Sequence, residues 1–334
     1  MSTVASRVHG GPDELGLPRW DFSSNGNACG PCPMALRALR RADPMHYPDP
    51  AYRVLRERLA DFHGVAVWRI VPAASASEFI FRITALAARS GLRHVRLPRH
   101  GYGDYRHAAQ AWGLALSERD DEGPALAWAC EPSSPEGLAD PAFATPRSTG
   151  TIRVLDRAYE PLRLHGAPSL GAAALDDVWQ LFSPNKALGL TGVRAAYAIA
   201  PSYGEAEAAQ LEQLACSWPL GAHGVALLQV WCEALVQQWL QGSREQLRTW
   251  RSAQLQLLQS LRWHVQPGLA NFMLARPQQP VPALLAHLRA QGLKLRDCTS
   301  FGLPGALRLS VQPPPAQAAL RRACQAYDPP ANGL

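Results

Sequence analysis

The stretch SPNKALGLTGVRAAYAIA, residues 183–200, follows the apolar run VWQLF at 178–182. Its runs and breakers read as a strand, a polar turn bearing Lys186, a Gly-rich GLTG and a second strand. A lysine at the carboxyl end of a strand can reach into a cleft, where its amine can form an imine with an aldehyde. Ser183 and Arg194 flank it, and both are residue types that hold a phosphate. Taken alone, the same lysine also reads as a surface residue in a loop.

Outward from this turn the chain alternates helix and strand. DPAYRVLRERLADFHG (49–64) is an amphipathic helix, and WRIVPAASASEFIFRITALAARSG (68–91) is a strand, a small-residue loop and a helix. RHVRLP (93–98), PALAWACEP (124–132) and TIRVLDRAYE (151–160) are further strands, with the helix YRHAAQAWG (105–113) among them. Short apolar strands separated by helices predict an α/β fold with a largely parallel sheet, whose ligands sit at the carboxyl ends of the strands. From about 205 the character changes. Residues 221–262 read as one nearly continuous helix, followed by a strand over 264–277, a helix at 281–292, the strands LKLRDC and ALRLSV, and a last helix at 315–327. The expected organisation is an N-terminal arm over 1–45, a large α/β domain over 46–220 and a small α+β domain over 221–334 with a frayed tail at 328–334.

The bulk numbers narrow the function classes. The chain has 334 residues, 47% of them hydrophobic, enough for a sizeable core. No apolar run approaches the roughly 18 residues of a membrane span. With no apolar signal core in MSTVASRVHGG, a cytoplasmic protein is expected. The seven scattered cysteines suit reduced thiols, and no Cys/His cluster has zinc spacing. The net charge is +6, but the arginines are spread along the chain, so no nucleic-acid partner is expected. Lysine occurs only at Lys186 and Lys294, which leaves two candidates for any chemistry that needs a primary amine.

Other segments carry possible chemistry. Asp156 closes an apolar strand, where a carboxylate is costly without a cationic partner; an ordinary strand-end aspartate capping a turn is the plainer reading. AASASE (73–78) puts Ala76 and Ser77 at a helix start, where backbone N–H groups favour an anion. Tyr102 in HGYGDY could stack on a planar ring or serve as a core tyrosine. Cys29-Gly30-Pro31-Cys32 has the form of a redox dithiol at a helix start, but Gly30 and Pro31 equally suit a turn and Pro33 a first helical position.

Taken in order, these features give the chain its resemblance. With HGG (9–11), DFSSNGN (21–27), HYPDPAY (46–52), SASE, YGDY, LDRAY, the run from Lys186 to Arg194, and ALRLSV, it resembles the fold-type-I pyridoxal-phosphate enzymes of the histidinol-phosphate aminotransferase type. Within that group it is most similar to the L-threonine-O-3-phosphate decarboxylases of cobalamin biosynthesis, a branch that HGG and DFSSNGN favour. The resemblance implies a mostly parallel seven-stranded sheet in the large domain.

It also implies roles. Lys186 would hold pyridoxal 5'-phosphate through its amine, Asp156 would pair with the pyridinium nitrogen, and Tyr159 would bond the ring's phenolic oxygen. Tyr102 would stack on the ring, while Ala76, Ser77, Ser183 and Arg194 would hold the cofactor phosphate. Tyr47 would complete that site in the other subunit of a homodimer. Arg308 would bind a substrate carboxylate, and His9, Asn27 and Arg296 match positions around a small phosphorylated amino-acid substrate. The implied reaction is decarboxylation of threonine phosphate to (R)-1-aminopropan-2-yl phosphate. The alternatives are transamination on the same fold and a non-catalytic relative.

The chain departs from the family pattern at EPSSPEG (131–137), where Ser134 and Glu136 stand for the usual asparagine and threonine. The connection from 131 to 151 is short, AAS replaces a GNG-like loop, and Asn185 precedes the lysine where a hydroxyl residue is common.

Overall fold

The computed structural model describes residues 9–117, 123–145 and 148–327; the tail expected to fray at 328–334 lies outside them. In chain order the arm carries β1 (Trp20–Asp21) and α1 (Pro33–Arg41). Then come α2 (Arg53–His63), β2 (Ile70–Ala73), α3 (Ala76–Arg89), β3 (His94–Arg96), α4 (Gly103–Ala111), β4 (Ala115–Ser117) and β5 (Leu126–Cys130). β6 (Ile152–Asp156), α5 (Ala172–Leu175), β7 (Trp179–Phe182), β8 (Ala196–Ile199) and α6 (Glu205–Gln213) follow. The remainder is α7 (Ala222–Trp231), α8 (Ala234–Ser260), β9 (His264–Pro267), β10 (Phe272–Arg276), α9 (Val281–Ala290), β11 (Leu293–Lys294), β12 (Arg296–Asp297), β13 (Leu307–Ser310) and α10 (Pro314–Gln325).

Seven strands form one sheet in the order β2-β8-β7-β6-β5-β3-β4. Only β8 runs against its neighbours, so the sheet is mostly parallel, as expected. Side-chain alternation sorts the strands onto two faces. Ile152 and Val154 join the core under α3, α4 and α6, while Leu155 packs with Ala127, Ala129 and Val178 on the other face. Asp156 has the parity of Ile152 and Val154, and so turns toward α4. The carboxyl ends of β2, β5, β6 and β7 share one edge, which gathers the loops after them.

Three elements differ from the sequence reading, the shortest being LKLRDC, which divides into β11 and β12 in two different sheets. The helix expected over 221–262 breaks at Cys232-Glu233, where Glu233 is extended (ψ 136°). α7 packs mainly against α1 and α2, whereas α8 touches α1 and runs on along β9 and α10, and the break lets the two take different directions. Gln237 Nε2 donates to the Trp231 carbonyl at 2.6 Å, which satisfies an acceptor that the break leaves without its helical partner. The single strand expected over 264–277 is a hairpin: β9 and β10 pair antiparallel around a turn that begins at Pro267-Gly268. With β12 and β13 they form a four-stranded antiparallel sheet. The arm is tied to this part of the chain, since β1 pairs in parallel with β11.

His63, at the end of α2, is wedged against Phe182 and Tyr197, with Nε2 2.7 Å from the Tyr197 hydroxyl. Burial pushes its pKa from 6.5 down to about 4, and nearby Arg157 adds to the effect. The folded state therefore keeps His63 neutral while the unfolded chain protonates it. The resulting loss of stability is absent above pH 6.5 and grows as pH falls toward 4, reaching at most about 3 kcal/mol. His63→Gln is expected to move the acid-unfolding midpoint, followed by circular dichroism, to lower pH; an unchanged midpoint would remove His63 from acid lability.

Candidate active site

The shared edge of the sheet assembles a cleft around Lys186. The lysine lies in a single helical turn after β7, closed by Leu188 N–H donating to the Pro184 carbonyl at 2.9 Å. Lys186 Nζ donates to Ser183 Oγ at 2.9 Å and sits 5.7 Å from the Tyr159 ring centroid. Desolvation holds the Lys186 pKa below the ordinary lysine value; Asp156 opposes this, and Arg194 adds to it. The other lysine is spent elsewhere: Lys294 pairs with Asp13 of the arm at 3.0 Å. The structure thereby leaves Lys186 as the amine available in the cleft.

Asp156 is 5% exposed. Its oxygens accept from the Tyr105 hydroxyl at 2.7 Å and from Ala158 N–H at 2.9 Å. No ion pair within 4 Å neutralises it among the described residues, and burial holds its pKa above the usual carboxylate range. Tyr105 was not among the residues singled out from the sequence. It stacks on Trp128 of β5 with ring centroids 4.4 Å apart, so its hydroxyl is fixed against the carboxylate. Nothing in YGDY distinguishes Tyr105 from Tyr102 except that it lies one helical turn further on.

Ser77 and Ala76 open α3. Ser75 caps this helix by accepting from Glu78 N–H, and the Glu78 carboxylate reaches back to Ala74 N–H, a reciprocal cap. The Ser77 hydroxyl is 3.2 Å from the Tyr102 hydroxyl. His9 stands beside Tyr102, ring centroids 6.0 Å apart. The placement follows from HGG: a Cβ on Gly10 would lie 2.2 Å from the Ser23 carbonyl oxygen, and Gly11 N–H donates to Ser23 Oγ at 2.9 Å. Only glycine lets the arm press this closely on DFSSNGN.

Arg308 and Arg296 are paired residues across β12 and β13, so two guanidinium groups rise side by side. Arg308 donates to Ser134 Oγ and to the Ser23 carbonyl, each at 2.8 Å. Arg296 donates to Ser300 Oγ at 2.7 Å and lies over the Phe301 ring. Ser134 thus meets an arginine. Its loop is braced by Glu131, whose carboxylate pairs with Arg163 at 2.7 Å and accepts from Ser169 and Asp140 N–H.

Three further expected site residues have these surroundings. Arg194 is solvent-exposed and reaches the lysine only through its charge. Tyr47 is 77% exposed and stacks on Trp218, not on the Lys186 group. Asn27 is buried with both ends of its amide engaged: Nδ2 donates to the Ala187 carbonyl at 2.9 Å and Oδ1 accepts from Cys29 N–H at 3.0 Å. Asn25, two residues earlier, is the asparagine that borders the cleft. It is 4% exposed and lies beside the Tyr159 hydroxyl, whose pKa burial raises and this amide lowers. A spacing of two does not say which asparagine faces the cleft.

The dithiol reading loses its physical basis. Burial pushes the Cys29 thiol up to about 11 and raises Cys32 as well, the opposite of an activated thiolate. Among the described residues no cluster of His, Cys, Asp or Glu could hold a metal, and no helix is long and apolar enough to cross a membrane.

The residues fit pyridoxal phosphate. A buried carboxylate without an ion-pair partner, an amine in the same cleft and a helix start at Ala76-Ser77 suit its ring nitrogen, aldehyde and phosphate in turn. The family model for aminotransferase class I and II matches residues 143–326, more than half of the 334, and the chain belongs to that family.

Among its relatives, the histidinol-phosphate aminotransferase of Symbiobacterium thermophilum is 27% identical over 336 residues, 90% of this chain and 88% of its own length. That of Jannaschia sp. is 29% identical, covering 93% and 90%. The fold is shared with the histidinol-phosphate aminotransferase of Sinorhizobium meliloti solved with pyridoxal-5'-phosphate, at a TM-score of 0.79, 20% identity and 92% coverage of each chain. It is also shared with the L-threonine-O-3-phosphate decarboxylase of Porphyromonas gingivalis, at 0.75 and 19%, covering 91% of this chain and 98% of that one.

Because Asp156 raises the Lys186 amine and Arg194 lowers it, the two are expected to move its titration in opposite directions. The pH midpoint for reductive methylation of Lys186 by formaldehyde, followed by mass spectrometry, should fall in Asp156→Asn and rise in Arg194→Gln. A common direction would show that the field at the amine has another source. The Cys29→Ser, Cys32→Ser double variant is expected to keep the visible absorbance of bound pyridoxal phosphate, and Lys186→Ala to lose it.

Proposed function

We propose that this chain is a pyridoxal-phosphate-dependent aminotransferase whose substrate carries an amine and a phosphate. The observation that carries the reading is the Lys186 amine, bonded to Ser183 and facing the buried Asp156 carboxylate. When bound, pyridoxal phosphate supplies an electron sink for the pair released at the substrate Cα. The protein's part is to bind, orient and move a proton. Asp156, fixed by Tyr105, favours a protonated ring nitrogen. Lys186, its pKa lowered, has more of its neutral form near neutral pH than a free lysine and is the base for a proton at Cα. Tyr102 would cover the ring, Tyr159 with Asn25 would meet its phenolic oxygen, and Ala76, Ser77, Ser183 and Arg194 would hold its phosphate. Arg308, Arg296 and His9 would bind the substrate phosphate; two adjacent guanidinium groups suit a group with more than one negative charge.

The names of the relatives support histidinol phosphate as the substrate. In this reading residues 1–45 are an arm, 46–220 the cofactor domain and 221–334 the small domain, in a homodimer whose Tyr47 crosses to the neighbouring site.

A second reading, decarboxylation of threonine phosphate, is favoured by one feature: the HGG arm, docked on Ser23, puts His9 beside Tyr102. The two reactions differ in which Cα bond is turned perpendicular to the ring, not in the residue types present. Purified protein loaded with pyridoxal phosphate is therefore tested with histidinol phosphate plus 2-oxoglutarate, and with threonine phosphate with and without 2-oxoglutarate. Glutamate formation dependent on histidinol phosphate is the expected result. Carbon dioxide released from threonine phosphate without an acceptor would establish the second reading, and neither product would overturn both.

A further inference from the structure

The stretch Asn27–Cys32 has no place in the chemistry above, yet it is bonded directly to the Lys186 turn. Asn27 N–H donates to the Lys186 carbonyl at 2.8 Å, Asn27 Nδ2 to the Ala187 carbonyl at 2.9 Å, and Cys32 N–H to the Leu188 carbonyl at 2.9 Å. Three consecutive carbonyls of the lysine turn are thus bound by one short piece of the arm. Between these bonds the two backbones nearly touch. A Cβ on Gly30 would lie 2.9 Å from the Gly189 Cα and 3.1 Å from the Leu188 oxygen. A Cβ on Gly189, whose φ is +67°, would lie 2.8 Å from the Gly30 Cα.

Within the turn the Lys186 carbonyl accepts from Gly189 N–H at 3.2 Å, while those of Ala187 and Leu188 have no such partner. Here the arm supplies one to each, in a buried place where an unpaired carbonyl is costly. The Asn27 amide is used at both ends, since its Oδ1 accepts from Cys29 N–H and so shapes the segment that Cys32 closes. Both polar atoms of this side chain thus already hold the arm to the lysine turn. The bonds span about 160 residues of sequence, so the turn cannot assemble them from its own neighbourhood.

We infer that Asn27 and Gly30 are positioning residues for Lys186: the arm holds the turn in the shape that fixes where the amine stands. This rests on the reading of Lys186 as the cofactor lysine, but the holding itself does not. Side-chain size at 30 and the Asn27 donor set the geometry of the turn, and with it the surroundings in which the Lys186 amine titrates.

Asn27→Ala and Gly30→Ala separate this role from substrate contact and from general folding. Hydrogen exchange is read in peptides covering 184–190 and, as an internal control, in those covering 152–156 and 179–182. In both variants the 184–190 amides are expected to exchange about tenfold faster, the scale of one lost buried hydrogen bond, with the strand peptides unchanged. In protein loaded with pyridoxal phosphate, the pH midpoint of the visible absorbance should shift in both variants. Unchanged exchange at 184–190 in both would overturn the inference, as would faster exchange spread equally over the strands. So would a raised KM for the phosphorylated substrate in Asn27→Ala with normal exchange, because that outcome belongs to a substrate contact. Should Asn27→Ala not fold, Gly30→Ala decides alone. If wild-type protein takes up no pyridoxal phosphate, the cofactor reading fails, while the exchange comparison still tests whether the arm holds the turn.

Discussion

A carboxylate at the end of a central β-strand, away from water, is the constraint around which the site is built. Moving such a group out of solvent costs several kcal/mol unless something in the fold offsets it. Asp156 has one phenol and one backbone N–H, plus the charge of Lys186 across the cleft. Each partner imposes a further requirement. The phenol needs α4 at a fixed height on the sheet, which the stack of Tyr105 on Trp128 provides. The backbone N–H needs the chain to turn just after β6, which places Tyr159 next to the lysine. The lysine needs β7 in register, with Leu181 opposite Asp156. A carboxylate so placed keeps a tendency to protonate, and a cationic ring nitrogen relieves it.

Much of this was legible in the chain itself. The alternation of apolar strands and amphipathic helices up to residue 200 contains little else, and its parallel sheet follows from the connections. Lys186 stood out because the chain has only one other lysine, which an aspartate of the arm engages. What escaped was whatever depends on contacts distant in sequence. Nothing local at Cys232-Glu233 breaks a helix; the break belongs to the different surfaces that α7 and α8 cover. The Pro267-Gly268 pair did signal a turn, but a long apolar run concealed it. Tyr105 and Asn25 each sit near a more conspicuous residue of the same type, and which of the two faces the cleft depends on packing partners far along the chain.

The paired arginines illustrate a similar limit. Arg296 and Arg308 are set apart in the sequence by the family resemblance alone, not by composition or spacing. Their significance comes from β12 and β13, which place them opposite one another. Like charges held together in this way repel, and the fold contains the repulsion with aromatic faces, Phe301 under Arg296 and Phe272 beside Arg308, and with the oxygens of Ser134 and Ser23.

The pairing of β1 with β11 has a consequence for how the protein comes into being. Residues 20–21 leave the ribosome early, but their partners are residues 293–294. Until most of the chain has been synthesised, the arm has no strand to join, and contacts this distant in sequence form late because a long loop must close first. In a nascent chain that stops before β11, residues 27–32 have the Lys186 turn to bind, but β1 has no partner strand. Completion of the cleft is thereby coupled to completion of the polypeptide.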